Sequence, residues 1–70
     1  MASFFSVINC GDPGVVSNGR RSGNSFTYNN VITYTCNNGY RISGSETRTC
    51  QTDGSWNGIQ PQCLGISVSI

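Results

Sequence analysis

The sequence predicts a small all-β domain stapled by disulfide bonds, and three observations lead to this fold class. Its 70 residues include four cysteines, an even set in a short chain. No stretch of useful length places apolar residues at the i, i+3, i+4 and i+7 spacing of an amphipathic helix. Asn-Gly and Asp-Gly pairs, which favour tight turns because they tolerate a positive φ, recur between short runs of β-branched residues.

The clearest predicted strand is 31–36, Val-Ile-Thr-Tyr-Thr-Cys. Alternation places Ile32, Tyr34 and Cys36 on one face, and we expect this face to point inward. Three shorter segments alternate more weakly and are also predicted as strands: 26–28, 40–42 and 47–50. The segment from Leu64 onward alternates like a strand, but no partner for it is evident in the chain.

The chain is too short to be held by its apolar core alone. A domain of this size buries only about 60% of its unfolded surface, so covalent staples are expected. The sequence has no His and no Cys-x-x-Cys pair, which argues against zinc. Disulfides between the four cysteines are therefore the expected covalent staples. Such bonds favour an extracellular location. Spacing alone leaves all three pairings open, and an intracellular four-cysteine protein is the alternative to an oxidised one.

Composition argues against several functional classes. The formal net charge is +1 and Lys is absent, so the dense basic patch of a nucleic-acid-binding protein is not expected. No apolar run approaches the roughly 18 residues of a transmembrane helix, so we expect no direct membrane insertion. The segment 1–7 lacks the basic start and the length of a signal peptide, so we expect the chain to be a piece of a larger protein.

Catalytic residues are not evident in the sequence. No His can serve as a general base near neutral pH, and no nucleophile-elbow or phosphate-binding pattern occurs. The three carboxylates, Asp12, Glu46 and Asp53, are scattered, and no Asp-rich calcium loop is present. We therefore expect neither enzymatic activity nor a metal or cofactor.

Residues 10–63 resemble a sushi module, also called the complement control protein module or short consensus repeat. The resemblance is carried by all four cysteines and by short motifs between them: Cys10-Gly-Asp-Pro13, Asn18-Gly19, Tyr34-Thr-Cys36, Gly39-Tyr40, Gly44, Cys50, Gly54-Ser-Trp56 and Pro61-Gln-Cys63. It implies an elongated sandwich of short antiparallel strands. It also implies the disulfides Cys10–Cys50 and Cys36–Cys63, with Trp56 packed beside the terminal one.

The opening Cys-Gly-Asp-Pro-Gly is most similar to modules of mosaic proteins that combine CUB and sushi domains. The predicted organisation is a flanking linker or expression-related segment at 1–8, the sushi module at 9–64, and a tail of unclear role at 65–70. The resemblance implies that neighbouring sushi or CUB modules of a parent chain touch the ends of this module.

Two groups of side chains are candidates for the core and for the surface. We expect Ile32, Tyr34, Tyr40 and Trp56 to form the core rather than a ligand pocket. Arg20 and Arg21 follow the Asn-Gly turn and are expected to project from a loop as a solvated pair that maintains solubility. The alternative is that the pair meets a carboxylate surface or a sulfated glycan. The remaining candidate binding residues are Tyr28, Arg41 and Arg48.

These observations favour a non-enzymatic extracellular module that binds proteins and sets spacing within a mosaic protein. Complement regulation and cell adhesion or recognition are the expected settings, with complement fragments or cell-surface proteins as ligands. One alternative is a small secreted disulfide-rich effector, such as a toxin or protease inhibitor. Another is an accessory module beside a serine protease domain.

Overall fold

The computed structural model describes residues 7–66, and within them the chain forms two antiparallel sheets without a helix. Five strands follow in chain order: β1 (Gly19–Ser22), β2 (Val31–Cys36), β3 (Tyr40–Ser43), β4 (Thr47–Thr49) and β5 (Gln62–Gly65). Strand β2 is the centre of the three-stranded sheet β1-β2-β4, and β3 pairs with β5 in a separate two-stranded sheet. The predicted all-β class is confirmed. No helix able to cross a membrane is found in this part of the chain.

Strand β2 has the bounds and the inward face that its alternation predicts. Ile32 is fully buried and Tyr34 is 2% exposed, while Val31 on the opposite face is 50% exposed. A strand rich in β-branched and aromatic residues suits a central position because its side chains pack well on a pleated surface. It therefore supplies two of the four buried hydrophobic side chains of residues 7–66, the others being Val16 and Cys50.

The core is small. Val16, Ile32 and Tyr34 form its buried centre, and four partly buried side chains pack against it: Phe26, Ile42, Trp56 and Cys63. A core of this size offsets little of the entropy lost on folding, so the crosslinks carry much of the stability.

The structure joins Cys10 to Cys50 and Cys36 to Cys63, the pairing that the resemblance implies. The backbone N–H of Cys50 donates to the carbonyl of Asn30, immediately before β2, and Cys36 is the last residue of that strand. One disulfide therefore lies at each end of β2. Six residues of strand separate the two ends by about 20 Å, which gives the module its long axis.

Trp56 connects the Cys10–Cys50 disulfide to the start of the module. Its backbone forms an antiparallel bridge with Cys50, and its indole N–H donates to the carbonyl of Gly11 at 2.9 Å. The indole ring meets Phe26 edge-on, with ring centroids 6.3 Å apart. Trp56 therefore lies beside the Cys10–Cys50 disulfide and not, as the resemblance implied, beside the terminal one, Cys36–Cys63. Its polar atom is satisfied, as a partly buried indole requires.

The expectation that Arg20 and Arg21 lie in a loop is wrong, because both belong to β1. Their segment has no β-branched residue, so local propensity gives no strand signal. It becomes a strand by pairing with β2, from Gly19 opposite Cys36 to Ser22 opposite Thr33.

Gly19 permits the close approach of β1 to the Cys36–Cys63 disulfide, called the terminal disulfide below. A Cβ at this position would lie 2.7 Å from Cys63 Sγ, 2.6 Å from the Thr35 carbonyl oxygen and 2.8 Å from a methyl of Val16. Each of these separations is shorter than a van der Waals contact, so only glycine fits.

The predicted strand at 26–28 is also wrong. Only Thr27 pairs there, in an isolated bridge with Asn9. The chain reverses immediately afterwards: Asn29 has a φ of 71°, and the N–H of Asn30 returns to the carbonyl of Thr27 at 3.0 Å. A tight turn so close to Thr27 prevents the bridge from extending into a ladder of paired strand residues.

The segment from Leu64 has a partner that the sequence did not indicate. Strand β5 pairs with β3, with Leu64 opposite Arg41 and Gly65 opposite Tyr40. The N–H of Ile66 continues this pairing by donating to the carbonyl of Gly39 at 2.8 Å. Residues 67–70 of the predicted tail, and 1–6 of the predicted flank, lie outside the described residues.

Removing the terminal disulfide tests its share of the stability. The double substitution Cys36→Ser and Cys63→Ser opens a loop with a sequence separation of 27, and we expect it to lower the free energy of unfolding by about 3.5 kcal/mol. The single change Cys36→Ser should be at least as damaging, since it leaves Cys63 unpaired. Urea denaturation, monitored by circular dichroism, measures the free energy of unfolding of both variants. An unchanged midpoint for the double variant would show that the terminal disulfide does not stabilise the fold.

Substitution of Trp56 separates its packing from its hydrogen bond. Trp56→Ala should cost about 3–5 kcal/mol through lost packing, whereas Trp56→Phe, which keeps a ring but loses the N–H, should cost about 1 kcal/mol. Chemical denaturation of the two variants gives both values. If Trp56→Ala has a negligible effect, the indole is not part of the core.

Candidate functional site

The outer face of the three-stranded sheet is the broadest regular surface of the described chain. Directly opposed residues of antiparallel strands point to the same side, so the register fixes which side chains share this face. Arg20 lies opposite Thr35, Ser22 opposite Thr33, and Thr33 in turn opposite Thr47. Together the face, called the outer face below, consists of Arg20, Ser22, Val31, Thr33, Thr35, Thr47 and Thr49.

Arg20 is the cation of this face. It is exposed, and its guanidinium takes part in no hydrogen bond or ion pair with residues 7–66. Beside it lies a polar cleft of about 320 Å³, which is lined by Arg20, Thr35, Cys36, Asn37 and Asn38. Hydroxyl, amide and guanidinium groups at this edge can bind carboxylate, sulfate or hydroxyl groups of a partner.

Arg21 points to the other side of β1 and is committed to the fold. Its register partner is the buried Tyr34, and only 19% of its side chain is exposed. The guanidinium binds both carboxylate oxygens of Asp12 and donates to the carbonyl of Gly14 at 3.1 Å. It also lies 5.0 Å from the centroid of the Phe26 ring.

The hydrogen bonds around Asp12 shift its ionisation. The bonds from Arg21 and then from the Gly14 N–H hold the pKa of the Asp12 carboxyl below its ordinary value, and the same ion pair raises the pKa of Arg21. The pair thus favours the charged form of both groups and ties the segment 12–14 to β1.

Arg48 is also bound within the molecule. It faces inward opposite Ile32, and its guanidinium donates to the carbonyl of Asn57 at 2.9 Å and to Gln60 Oε1 at 2.8 Å. These bonds fix the segment that leads into β5. Arg41 is exposed but belongs to β3, in the other sheet, so the four arginines do not form one patch.

The tyrosines divide between the core and the surface. Tyr34 is buried, and its hydroxyl donates to the carbonyl of Gly14 at 3.0 Å. Tyr40 is half-buried at the start of β3. Tyr28 is 49% exposed, and its backbone N–H donates to the carbonyl of Ile8, close to the Cys10–Cys50 disulfide.

A second surface lies near the Cys36–Cys63 disulfide and is more apolar. It is a groove of about 370 Å³ between the segments 15–17 and 60–64. Val15 is 71% exposed and Leu64 is 38% exposed at its rim. This groove is called the terminal groove below.

Sequence reasoning missed the outer face because β1 was not predicted. The available signal was the repeated Thr-x-Thr pattern at 33–35 and 47–49, which places two hydroxyls of each strand on one side. Among residues 7–66, no group of three His, Cys, Asp or Glu side chains is placed to hold a metal ion.

Comparison with known proteins identifies similar sequences. The family model described as Sushi repeat (SCR repeat) matches residues 10–63, a span that includes both disulfides. The rat protein "Sushi, von Willebrand factor type A, EGF and pentraxin domain-containing protein 1" is 41% identical over 61 residues, which cover 87% of this chain.

Two further relatives have comparable similarity. Human "Sushi domain-containing protein 2" is 40% identical over 63 residues, 90% of this chain, and "Protein lev-9" of Caenorhabditis elegans is 39% identical over 61 residues, 87% of this chain. The aligned region spans only 2% of the rat protein, 8% of the human protein and 10% of the nematode protein.

The Asp12–Arg21 pair predicts a loss of stability in acid. Because the folded-state pKa of Asp12 lies below its ordinary value near 3.8, the stabilisation is complete above that pH. It is lost as the pH falls through the lower folded-state pKa. Thermal melts from neutral pH to strong acid should therefore show a smaller acid-induced decrease in Tm for Asp12→Asn than for the wild type.

The comparison with Asp12→Asn is needed because a second carboxyl also titrates. Hydrogen bonds from Ser55 lower the pKa of Asp53 as well, and this contribution is common to both proteins. Arg21→Ala should lower Tm at neutral pH, whereas Arg20→Ala should leave it unchanged. Equal effects of the two arginine substitutions would contradict the different roles described for them.

Proposed function

The chain belongs to the sushi repeat family, and on this basis we propose that it is a non-enzymatic, extracellular protein-binding and spacer module of a larger mosaic protein. The observation that carries the proposal is the outer face, where Arg20 is exposed and has no ion pair or hydrogen bond with residues 7–66, while Arg21 and Arg48 are bound internally. Both disulfides are consistent with an oxidising, extracellular location.

The size of the outer face indicates weak binding by one module. Three strands spaced by about 4.8 Å and up to six residues long give a face of about 15 Å by 20 Å. A stable interface usually buries about 800 Å² on each partner, which is more than this face provides. Several modules acting together would supply the remaining affinity through effective concentration.

The chemistry of the face favours an anionic partner. Arg20 forms charge-assisted hydrogen bonds with carboxylate or sulfate, and the neighbouring hydroxyls and amides of Thr35, Asn37 and Asn38 add neutral ones. Acidic protein surfaces fit this description, and sulfated glycans share the same anionic chemistry. Complement fragments and cell-surface proteins are the proposed protein ligands, in complement regulation or in cell adhesion and recognition.

The proposal includes neighbouring domains on either side. The name of the rat relative combines sushi with von Willebrand factor type A, EGF and pentraxin domains. The terminal groove, with Val15 and Leu64 exposed at its rim, provides apolar surface for contact with an adjacent module. Sushi and CUB modules are the proposed neighbours of a module at 9–64, with 1–8 and 65–70 as its flanks.

Charge reversal on the two sheets tests the proposed binding face. Arg20→Glu should weaken binding to a complement C3b or C4b fragment, or to an acidic cell-surface protein, by at least about ten-fold, because it replaces a charge-assisted bond with repulsion. Arg41→Glu makes the same change in net charge on the other sheet and should change the Kd less than about two-fold. Surface plasmon resonance with the ligand immobilised at high density, or with an array of modules in solution, provides the avidity required for detection.

The two arginine variants distinguish a local site from a general charge effect. Equal weakening by Arg20→Glu and Arg41→Glu would show that only net charge matters, and the outer face would not be the site. Unchanged binding by Arg20→Glu would place the contact elsewhere. Circular dichroism must show the same fold for both variants, which is expected because neither guanidinium is bound within the described chain.

A further inference from the structure

The turn at 17–18 leads into β1, and the fold restricts the residue type both at its last residue, Asn18, and at the first residue of the strand, Gly19. Asn18 has a φ of 62°, in the left-handed region, which asparagine adopts more readily than most other residues with a side chain. Gly19 must lack a Cβ because it packs against Cys63 Sγ, Val16 and the Thr35 carbonyl. The geometry of the turn and of the terminal disulfide therefore favours an Asn-Gly pair at this point.

The groups of this pair are free to react with each other. The N–H of Asn37 donates to the carbonyl of Asn18 at 2.8 Å, and in an antiparallel ladder the next residue directs its N–H away from the partner strand. The N–H of Gly19 therefore points away from β2. The side chain of Asn18 is exposed and forms no hydrogen bond with the rest of the described chain.

We propose that Asn18 is a site of spontaneous deamidation that places a carboxylate two residues before Arg20. The backbone nitrogen of Gly19 attacks Cγ of Asn18, a new N–Cγ bond forms, and the Cγ–Nδ2 bond breaks. Ammonia leaves and carries away the proton lost by the Gly19 nitrogen. Water then opens the resulting succinimide at either carbonyl, which gives an isoaspartyl or an aspartyl residue.

The product changes the charge at the edge of the outer face. One new carboxylate lowers the formal net charge of the chain from +1 to zero. It also supplies a counter-charge close to Arg20, whose guanidinium has none in the described chain. The modification itself does not depend on whether Arg20 binds a partner.

A second Asn-Gly pair, at Asn57 and Gly58, is held in a way that opposes the same reaction. The Oδ1 atom of Asn57 accepts the N–H of Thr49 at 2.8 Å, and its backbone N–H donates to the Thr49 carbonyl at 3.0 Å. Rotation of the Asn57 side chain toward the Gly58 nitrogen must break the first of these bonds. The third pair, Asn38 and Gly39, is exposed in a turn, and no hydrogen bond within the described part of the chain restrains the Asn38 side chain.

Incubation of the folded, oxidised chain at mildly alkaline pH tests the proposal, because deprotonation of the attacking amide limits the reaction. Peptide mapping by mass spectrometry, with isoaspartyl and aspartyl products resolved by chromatography, gives a rate for each Asn-Gly pair. We expect Asn18 to convert at least about five-fold faster than Asn57, a factor that corresponds to about 1 kcal/mol, the net contribution of one hydrogen bond. Asn38, whose side chain lacks the restraint that holds Asn57, serves as a second reference for the rate at Asn18.

Two controls assign the difference to the fold. After reduction and unfolding, Asn18 and Asn57 should convert at rates within about two-fold of each other, because both are followed by Gly and the Thr49 hydrogen bond is gone. The variant Asn18→Gly keeps the positive φ but has no side-chain amide. In ion-exchange chromatography it should lack the less cationic product that forms at residue 18 and should still give the products of the other Asn-Gly pairs.

Three results would overturn the proposal. The first is conversion of Asn18 no faster than that of Asn57 in the folded chain. The second is the same five-fold difference in the unfolded chain, since the restraint by Thr49 would then be irrelevant. The third is a full yield of the less cationic species from Asn18→Gly.

Discussion

The fold depends on the two disulfides that lie at opposite ends of β2. This strand supplies Ile32 and Tyr34 to the buried centre of the core, where Val16 joins them. So few apolar side chains cannot by themselves oppose the entropy of an unfolded chain of this length. The crosslinks reduce that entropy and fix β2 at both ends. Trp56 and the inner arginines then attach the remaining segments to a strand whose position is already fixed.

The small size of the apolar core also explains why the arginines differ in role. Arg21 and Arg48 face inward and take the place that larger apolar side chains would have in a bigger domain: their guanidinium groups satisfy backbone carbonyls, and Arg21 also covers Phe26. Arg20, one residue before Arg21, faces outward because successive side chains of a strand alternate. A pair that is adjacent in sequence is therefore bound within the fold on one side of the strand and exposed on the other. Inward arginine is expected where a small core must hold several loops that expose carbonyl groups.

Sequence patterns predicted the features that depend on local residue alternation. They missed the features that depend on pairing between distant strands. The alternation of β2 was sufficient to give its bounds and its inward face. Strand β1 carries glycine and two arginines and has no local strand signal, so it could be recognised only from its partner. The inward direction of Arg48 likewise depends on the register between β4 and β2, which no single segment encodes. Spacing left the cysteine pairing open, and only the resemblance to a family implied it.

The short length of β1 has a consequence for a protein that contains many such modules. Its outer edge leaves backbone groups of Gly19 and Arg21 unpaired by β2, and such an edge is a template for pairing with another strand. Modules joined in one chain meet at an effective concentration in the millimolar range, so exchange of edges between them is a hazard during synthesis. A strand of four residues, with the exposed charge of Arg20 and a glycine, offers a poor template for such exchange. In a chain with several such modules, this edge would therefore favour separate folding of each module over the formation of a shared sheet.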